Sequence, residues 1–145
     1  LAGRGGGSGL VGGPMGKAWQ GVVNENRVLV FKLGGEQVLP ERRMLTRVAS
    51  VPAELESESN DAALVATGKG LYAQYCYMCH GLEAMSGGVI PDLRYANQQT
   101  FRDWQAIVIG GSRSDRGMRS FAGVLNADDA RAIRAYVLDR AARAR

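Results

Sequence analysis

At 145 residues, with 46% hydrophobic and 22% charged residues, the chain has the size and balance of one ordinary globular domain with room for an appendage. No run of about 18 apolar residues occurs, which excludes a membrane-spanning helix. A formal charge of +4, without any zinc-finger, helix-turn-helix or RNP-like signature, argues against a nucleic-acid partner.

The chain begins at Leu1-Ala2-Gly3-Arg4 with no initiator Met and no basic-then-apolar leader, as expected of a mature, processed or excised piece. Residues 1 to about 50 form a first zone. It opens with eight glycines in sixteen residues, a composition that cannot pack a core. Two β-rich runs follow, Ala18 to Val23 and Arg27 to Leu33, joined by Asn24-Glu25-Asn26 and stopped by Gly34-Gly35. A lone two-stranded ribbon is marginal in water, so this zone reads as part of something larger. Residues 51–60, with three glutamates and two serines, read as a solvated linker.

From Asp61 the pattern turns helical. The first helix is expected to be capped by Asn60 and to run through Leu64, Leu71, Tyr72 and Tyr75 to the cysteines. A second helix is predicted to begin with the capping box Thr100-Phe101-Arg102-Asp103 and to stop at Gly110-Gly111. The third starts at Asn126 with Asp129 completing its cap, and Ala130, Ile133, Tyr136, Val137 and Ala141 line one face. Arg131, Arg134, Arg140, Arg143 and Arg145 recur at helical spacing on that segment and read as a solvated face. The loops over 81–99 and 112–125 are too long for a bare helical bundle and suit a chain wrapped around a flat prosthetic group.

Cys76-Tyr77-Met78-Cys79-His80 is the chemical centre, and the chain's two cysteines and single histidine all lie in it. In C-x-x-C-H each thiol can add to a haem vinyl group, and the histidine that follows sits where it can ligate the iron. Two other readings compete. A thioredoxin-like redox pair needs a βαβ context that this sequence lacks, and a closed zinc site needs four ligands where three are present. With one histidine, bis-histidine ligation within the chain is excluded. Of the five methionines, Met15 and Met44 lie in the first zone and Met78 lies inside the motif. Met85 follows His80 too closely to cross easily to the opposite face. Met118, in the loop before the last helix and preceded by Gly117, is the expected distal ligand. The Pro91 carbonyl is the expected acceptor for the second ring nitrogen of His80. Arg94, Arg113 and Trp104 are candidates to reach the propionates, each with a plain surface or packing role as its alternative, and Tyr72 is a further candidate to contact the cofactor.

Residues 61–145 resemble a class I cytochrome c. Gly68-x-x-x-Tyr72-x-x-x-Cys76-x-x-Cys79-His80 is similar to that family's first helix, where the glycine and the aromatic lie against the last helix, and Ile133-Arg134-Ala135-Tyr136 resembles the matching segment. The run from Cys79 to Arg94 and the stretch Gly117 to Phe121 are similar to the cytochrome domain of quinohaemoprotein alcohol dehydrogenases. The stretch from Asn26 to Gly35, followed by Leu39-Pro40, resembles the closing segment of their pyrroloquinoline-quinone (PQQ) β-propeller.

The resemblance implies a mainly α, class I cytochrome c fold of three principal helices around one covalent haem c, preceded by a short β or irregular propeller-derived segment. The expected division is 1–50 propeller remnant, 51–60 linker and 61–145 cytochrome domain. It further implies a periplasmic setting and an electron-transfer role. Single electrons would come from the PQQ propeller domain of the same parent enzyme and pass to an external acceptor, such as a small copper protein, another cytochrome or a quinone-linked chain. PQQ and calcium would belong to the missing parent domain, and this chain by itself would oxidise no alcohol. The alternative function is a five-coordinate haem enzyme or sensor, peroxidase-like, in which Met118 is not a ligand.

Overall fold

The structure, a computed structural model, describes residues 30–38, 48–86 and 90–144. Its helices in chain order are α1 (Glu56–Asn60), α2 (Ala62–Tyr75), α3 (Tyr77–His80), α4 (Gln98–Arg102), α5 (Trp104–Val108) and α6 (Ala127–Ala142), with single 3₁₀ turns between them. No strand occurs among the described residues, and no helix there is long and apolar enough to cross a membrane. The predicted first β run lies outside the described residues, as do Met15, Met44 and the start of the second run. The end of that second run is corrected. Residues 30–33 are irregular and enter a turn closed by the Gly35 N–H on the Lys32 carbonyl at 3.0 Å. Val30, Phe31 and Leu33 project into solvent. An extended segment becomes a strand only where a neighbour takes its backbone groups, and no such neighbour occurs among the described residues.

The seam between α2 and α6 organises the fold. A Cβ built on Gly68 would stand 1.8 Å from the Ala132 carbonyl oxygen and 2.5 Å from its carbon. The two helix backbones therefore touch at a point where only hydrogen fits. One turn further along, Tyr72 meets Tyr136 with ring centroids 5.1 Å apart and tilted by 52°. The predicted face of α6 is buried in full, from Ala130 and Ile133 through Tyr136 and Val137 to Ala141. Ala132, Ala135 and Leu138 are buried as well, because α1 and α5 cover the flank that α2 leaves open.

Helix starts follow side-chain chemistry more closely than hydrophobic pattern. Asn126 and Asp129 form the reciprocal cap expected of them: the Asp129 N–H donates to Asn126 Oδ1 at 2.9 Å and the Asn126 N–H to Asp129 Oδ2 at 3.0 Å. The other two caps are displaced. Asp61, not Asn60, caps α2 by accepting from the N–H groups of Ala63 and Leu64, and Asn60 instead ends α1. Asn97 opens the second helical stretch by accepting from the Thr100 N–H at 2.8 Å, three residues ahead of the predicted start. The Thr100 hydroxyl is left to accept from Arg113 at 3.2 Å. That stretch divides at Asp103 into α4 and α5 and stops at Gly110-Gly111, where Gly111 takes a left-handed φ of 69°.

The largest correction concerns residues 51–60. They are not a solvated linker. Ala49, Val51 and Pro52 are buried, a 3₁₀ turn covers Ala53–Leu55, and α1 lays Glu58 against the last helix. Glu58 Oε1 accepts from Arg131 Nε at 3.0 Å and Arg134 Nη2 at 2.8 Å, while Oε2 accepts from Arg134 Nε at 3.0 Å. The row of arginines on α6 is correspondingly no uniform solvated face. Arg134 and Arg140 are mostly covered and paired with Glu58 and Glu83, whereas Arg131 and Arg143 stay outside.

Removing one partner of a well-buried ion pair strands the other charge, so Arg134→Leu should lower stability by about 2–3 kcal/mol, with Arg131 limiting the loss. The double variant Glu58→Leu with Arg134→Leu leaves only the more exposed Arg131 without its carboxylate, strands no buried charge and should be less destabilised than the single. Urea denaturation midpoints decide it. An Arg134→Leu midpoint equal to that of the parent chain would remove the ion pair from the account.

Candidate haem site

Helix α2 delivers the motif. Cys76 caps its C-terminus, its N–H donating to the Tyr72 carbonyl at 2.9 Å, and α3 follows as a single helical turn. The N–H groups of Cys79 and His80 both donate to the Cys76 carbonyl, at 3.2 and 2.9 Å. The sequence spacing thus becomes one tight turn carrying two thiols and an imidazole. Cys76 and Cys79 are not joined, and Cys76 is buried while Cys79 is exposed. Burial, seconded by the nearby Cys79, pushes the Cys76 thiol up to about 12. A disulfide-exchange nucleophile needs the opposite shift, which counts against the thioredoxin-like reading. Among the described residues no group of three or more Cys, His, Asp and Glu side chains is placed to hold a metal ion.

His80 is buried, and its Nδ1 lies 3.0 Å from the Pro91 carbonyl oxygen. A carbonyl can only accept, so Nδ1 carries the proton and the lone pair resides on Nε2. Burial lowers the His80 pKa, against an upward pull from the Pro91 carbonyl and the Asp92 charge, and so favours the neutral ring. A neutral imidazole with fixed tautomer, one turn from two unjoined thiols, is the donor set that a covalently held haem requires. Half-buried apolar side chains, among them Leu71, Tyr75, Leu93 and Phe121, provide the kind of surface such a flat group would cover. The residues present fit the group.

The segment between His80 and Pro91 is shaped by its backbone. Gly81 takes φ 80°, and Glu83 and Ala84 follow at 58° and 60°. Two successive non-glycine residues in the left-handed region cost on the order of 1–3 kcal/mol each unless their surroundings enforce the shape. Here Ala84 is wholly buried, the Tyr72 hydroxyl donates to the Gly81 carbonyl at 2.7 Å, and Arg140 on α6 pairs with Glu83 at 2.8 Å. Further on, the Ser86 hydroxyl donates to the Ile90 carbonyl. Asp92 then caps the 3₁₀ turn Leu93–Tyr95 and accepts two bonds from Arg94, at 3.0 Å from Nε and 2.7 Å from Nη2.

The other expected residues divide. Tyr72 lies behind the motif, where its hydroxyl holds the Gly81 turn and burial raises its pKa above the usual phenol range. Arg94 is first of all a clasp on the turn that carries Pro91. Trp104 is corrected: its single N–H donates to the Ala130 carbonyl at 2.9 Å and its ring stacks on Phe101, so it has no donor left for a propionate. Met118 is half-buried against the core in a loop pinned to the end of α5, with Phe121 N–H on the Val108 carbonyl at 2.9 Å and Ser120 Oγ on the Ile109 carbonyl. Gly117 before it has φ 87°. Met85 is buried within the 81–90 segment. Sequence reasoning missed Glu83, Ala84, Asp92 and Arg140. A left-handed pair without glycine leaves no local signal, and the Glu83–Arg140 contact joins residues far apart in sequence.

Comparison with known proteins agrees with this geometry. The family model described as cytochrome C oxidase, cbb3-type, subunit III matches residues 63–137, from the start of α2 into α6. The chain is 37% identical to quinohemoprotein alcohol dehydrogenase ADH IIB of Pseudomonas putida over 97% of its own length and 20% of that protein. The solved structure of quinohemoprotein alcohol dehydrogenase ADHIIG from Pseudomonas putida HK5 superposes with a TM-score of 0.59 at 36% identity, covering 77% of this chain and 16% of that one. That of the Comamonas testosteroni quinohemoprotein alcohol dehydrogenase gives 0.53 at 30% identity, over 78% and 16%. The chain thus spans about a fifth or less of the relatives it matches, and the part matched is their C-terminal cytochrome c region. With the family match extending over more than half its length and the helical fold in agreement, the chain belongs to the cytochrome c family of the cbb3-type subunit III description.

Proposed function

We propose that the chain is a single-haem electron-transfer module, holding haem c through thioethers at Cys76 and Cys79, with His80 and Met118 as the axial ligands. The observation that carries this reading is the bond from His80 Nδ1 to the Pro91 carbonyl, which fixes a neutral ring with its Nε2 lone pair available. When bound, haem supplies a one-electron couple, and a thioether opposite an imidazole favours ferrous iron and raises the potential. The protein's part is to orient and to exclude water. Cys76 and Cys79 tether, the Pro91 carbonyl sets the direction of the imidazole, and the Gly117–Phe121 loop carries the methionine. Arg113, and Arg94 with any donor not engaged by Asp92, are the candidates for the propionates.

The proposal extends to the setting. The identity across nearly the whole chain supports a place at the C-terminal end of a PQQ-dependent alcohol dehydrogenase. Electrons would arrive singly from the reduced quinone of the parent's propeller domain, which would also hold the calcium, and leave to a copper protein, another cytochrome or a quinone-linked chain. The resemblance supports a periplasmic location. The exposed apolar side chains at Val30, Phe31, Leu33 and Val38 fit residues 1–50 as a segment that covers them against that larger domain.

The test is covalency. Protein matured in a host that attaches haem c should keep its colour with the polypeptide in acidified organic solvent, and its reduced pyridine adduct should show the absorption of a haem with both vinyl groups saturated. Haem extracted by the solvent from intact protein would overturn the assignment.

A further inference from the structure

Between His80 and the carbonyl that orients it, the chain makes the left-handed turn of Glu83 and Ala84, and the last helix reaches over to hold it. Arg140 Nη2 lies 2.8 Å from Glu83 Oε2, with the arginine side chain 23% and the glutamate 45% exposed. From the other side the Tyr72 hydroxyl holds the Gly81 carbonyl at 2.7 Å. Residues with a Cβ do not stay left-handed in succession without restraint, and these are the restraints the structure supplies. The turn is also the root of the segment that returns to Pro91. The Ser86 hydroxyl on the Ile90 carbonyl ties the end of that turn to the residue before Pro91, so a turn that relaxes toward ordinary backbone angles would shift the acceptor of the His80 Nδ1 proton.

We infer that Arg140 is a positioning residue for the axial histidine, its ion pair with Glu83 holding the turn that keeps the Pro91 carbonyl on His80 Nδ1. The inference rests on the haem-bearing reading proposed above. An acceptor on the far nitrogen makes the imidazole a stronger donor to iron, so a loosened bond weakens that donation and favours the reduced state.

Arg140→Gln and Glu83→Gln, in haem-loaded protein, make the decisive pair. If the pair acts through the turn, both variants raise the midpoint reduction potential. The double variant should shift it no further than the larger single, and Arg140→Lys should restore most of the parent value. If the two side chains act only through their charges, the variants must move the potential in opposite directions, because one removes a positive and the other a negative charge. Opposite shifts, or none, overturn the inference. A second readout is exchange of the His80 Nδ1 proton with solvent by NMR, which should quicken in both single variants and stay slow in Arg140→Lys. Glu83 is half-exposed, so Glu83→Gln carries the test even where Arg140→Gln folds poorly. A parent protein that fails to retain covalent haem defeats the earlier reading instead, so the two failures are distinct.

Discussion

Gly68→Val should prevent the domain from folding stably, and Gly68→Ala should already cost most of that loss. A single added carbon at this position meets the Ala132 carbonyl oxygen at 1.8 Å and its carbon at 2.5 Å. The obstacle is backbone inside a helix, so no rotamer change relieves it. The helices must separate by more than an ångström, and the seam that buries Tyr72, Ile133 and Tyr136 opens with them. Overpacking a tight core costs about 1–3 kcal/mol, and a clash with rigid backbone lies at or above the top of that range. Alanine's better helix propensity, worth about 1 kcal/mol over glycine, cannot offset it.

Gly70 supplies the matched control. It is exposed on the same helix, and a Cβ there meets nothing within 4 Å. Gly70→Ala should therefore stabilise by about 1 kcal/mol through propensity alone. Urea denaturation of the two alanine variants should move the midpoint in opposite directions. Equal movement would mean that the α2–α6 contact is looser than the structure has it.

That contact was legible before any coordinates through the resemblance, which sets Gly68 against the last helix; the helix alone does not single it out, since Gly70 lies in the open two residues on. The Asn126–Asp129 cap was legible from the residues themselves, since both partners lie within one turn of sequence. What sequence could not show has a common cause: the deciding partner is distant. Glu58 lies in a stretch whose serines and glutamates have the composition of solvated chain, and only the arrival of Arg131 and Arg134 from α6 makes it a buried anchor. The N–H of Trp104 finds a backbone carbonyl on α6, which no side-chain pattern announces. The caps at Asp61 and Asn97 were misplaced because several residues near each helix start can cap, and local sequence does not rank them. The orientation of His80 toward Pro91 came from what is general to ligating histidines, whereas the left-handed turn that supports it came only from the backbone.

Met118→Ala should abolish the weak red-end charge-transfer band of the ferric protein and open the iron to cyanide and imidazole, while leaving the haem attached. Outside the Cys76–His80 motif, Met85 and Met118 are the methionines among the described residues. Met85 lies in the segment between His80 and Pro91, and it is buried at 3% exposure, as a side chain that fills the core would be. Met118 is carried on a separate loop that hydrogen bonds back to α5 at Phe121 and Ser120, and its side chain is only half-buried. A ligand opposite His80 would come from chain independent of the His80 turn, and of Met85 and Met118 it is Met118 that meets that demand.

The two variants should therefore fail differently. Met85→Ala removes buried volume, so it should lower the denaturation midpoint by an amount equivalent to about 2–5 kcal/mol and keep the band. Met118→Ala should lose the band and gain rapid cyanide binding, with its midpoint potential falling as the sulfur that favours ferrous iron is removed. Should Met85→Ala be the variant that loses the band, the ligand assignment moves to Met85. Should neither lose it, the sulfur comes from a methionine outside this pair; a parent protein that lacks the band altogether would make the electron-transfer reading give way to one with an exchangeable sixth site.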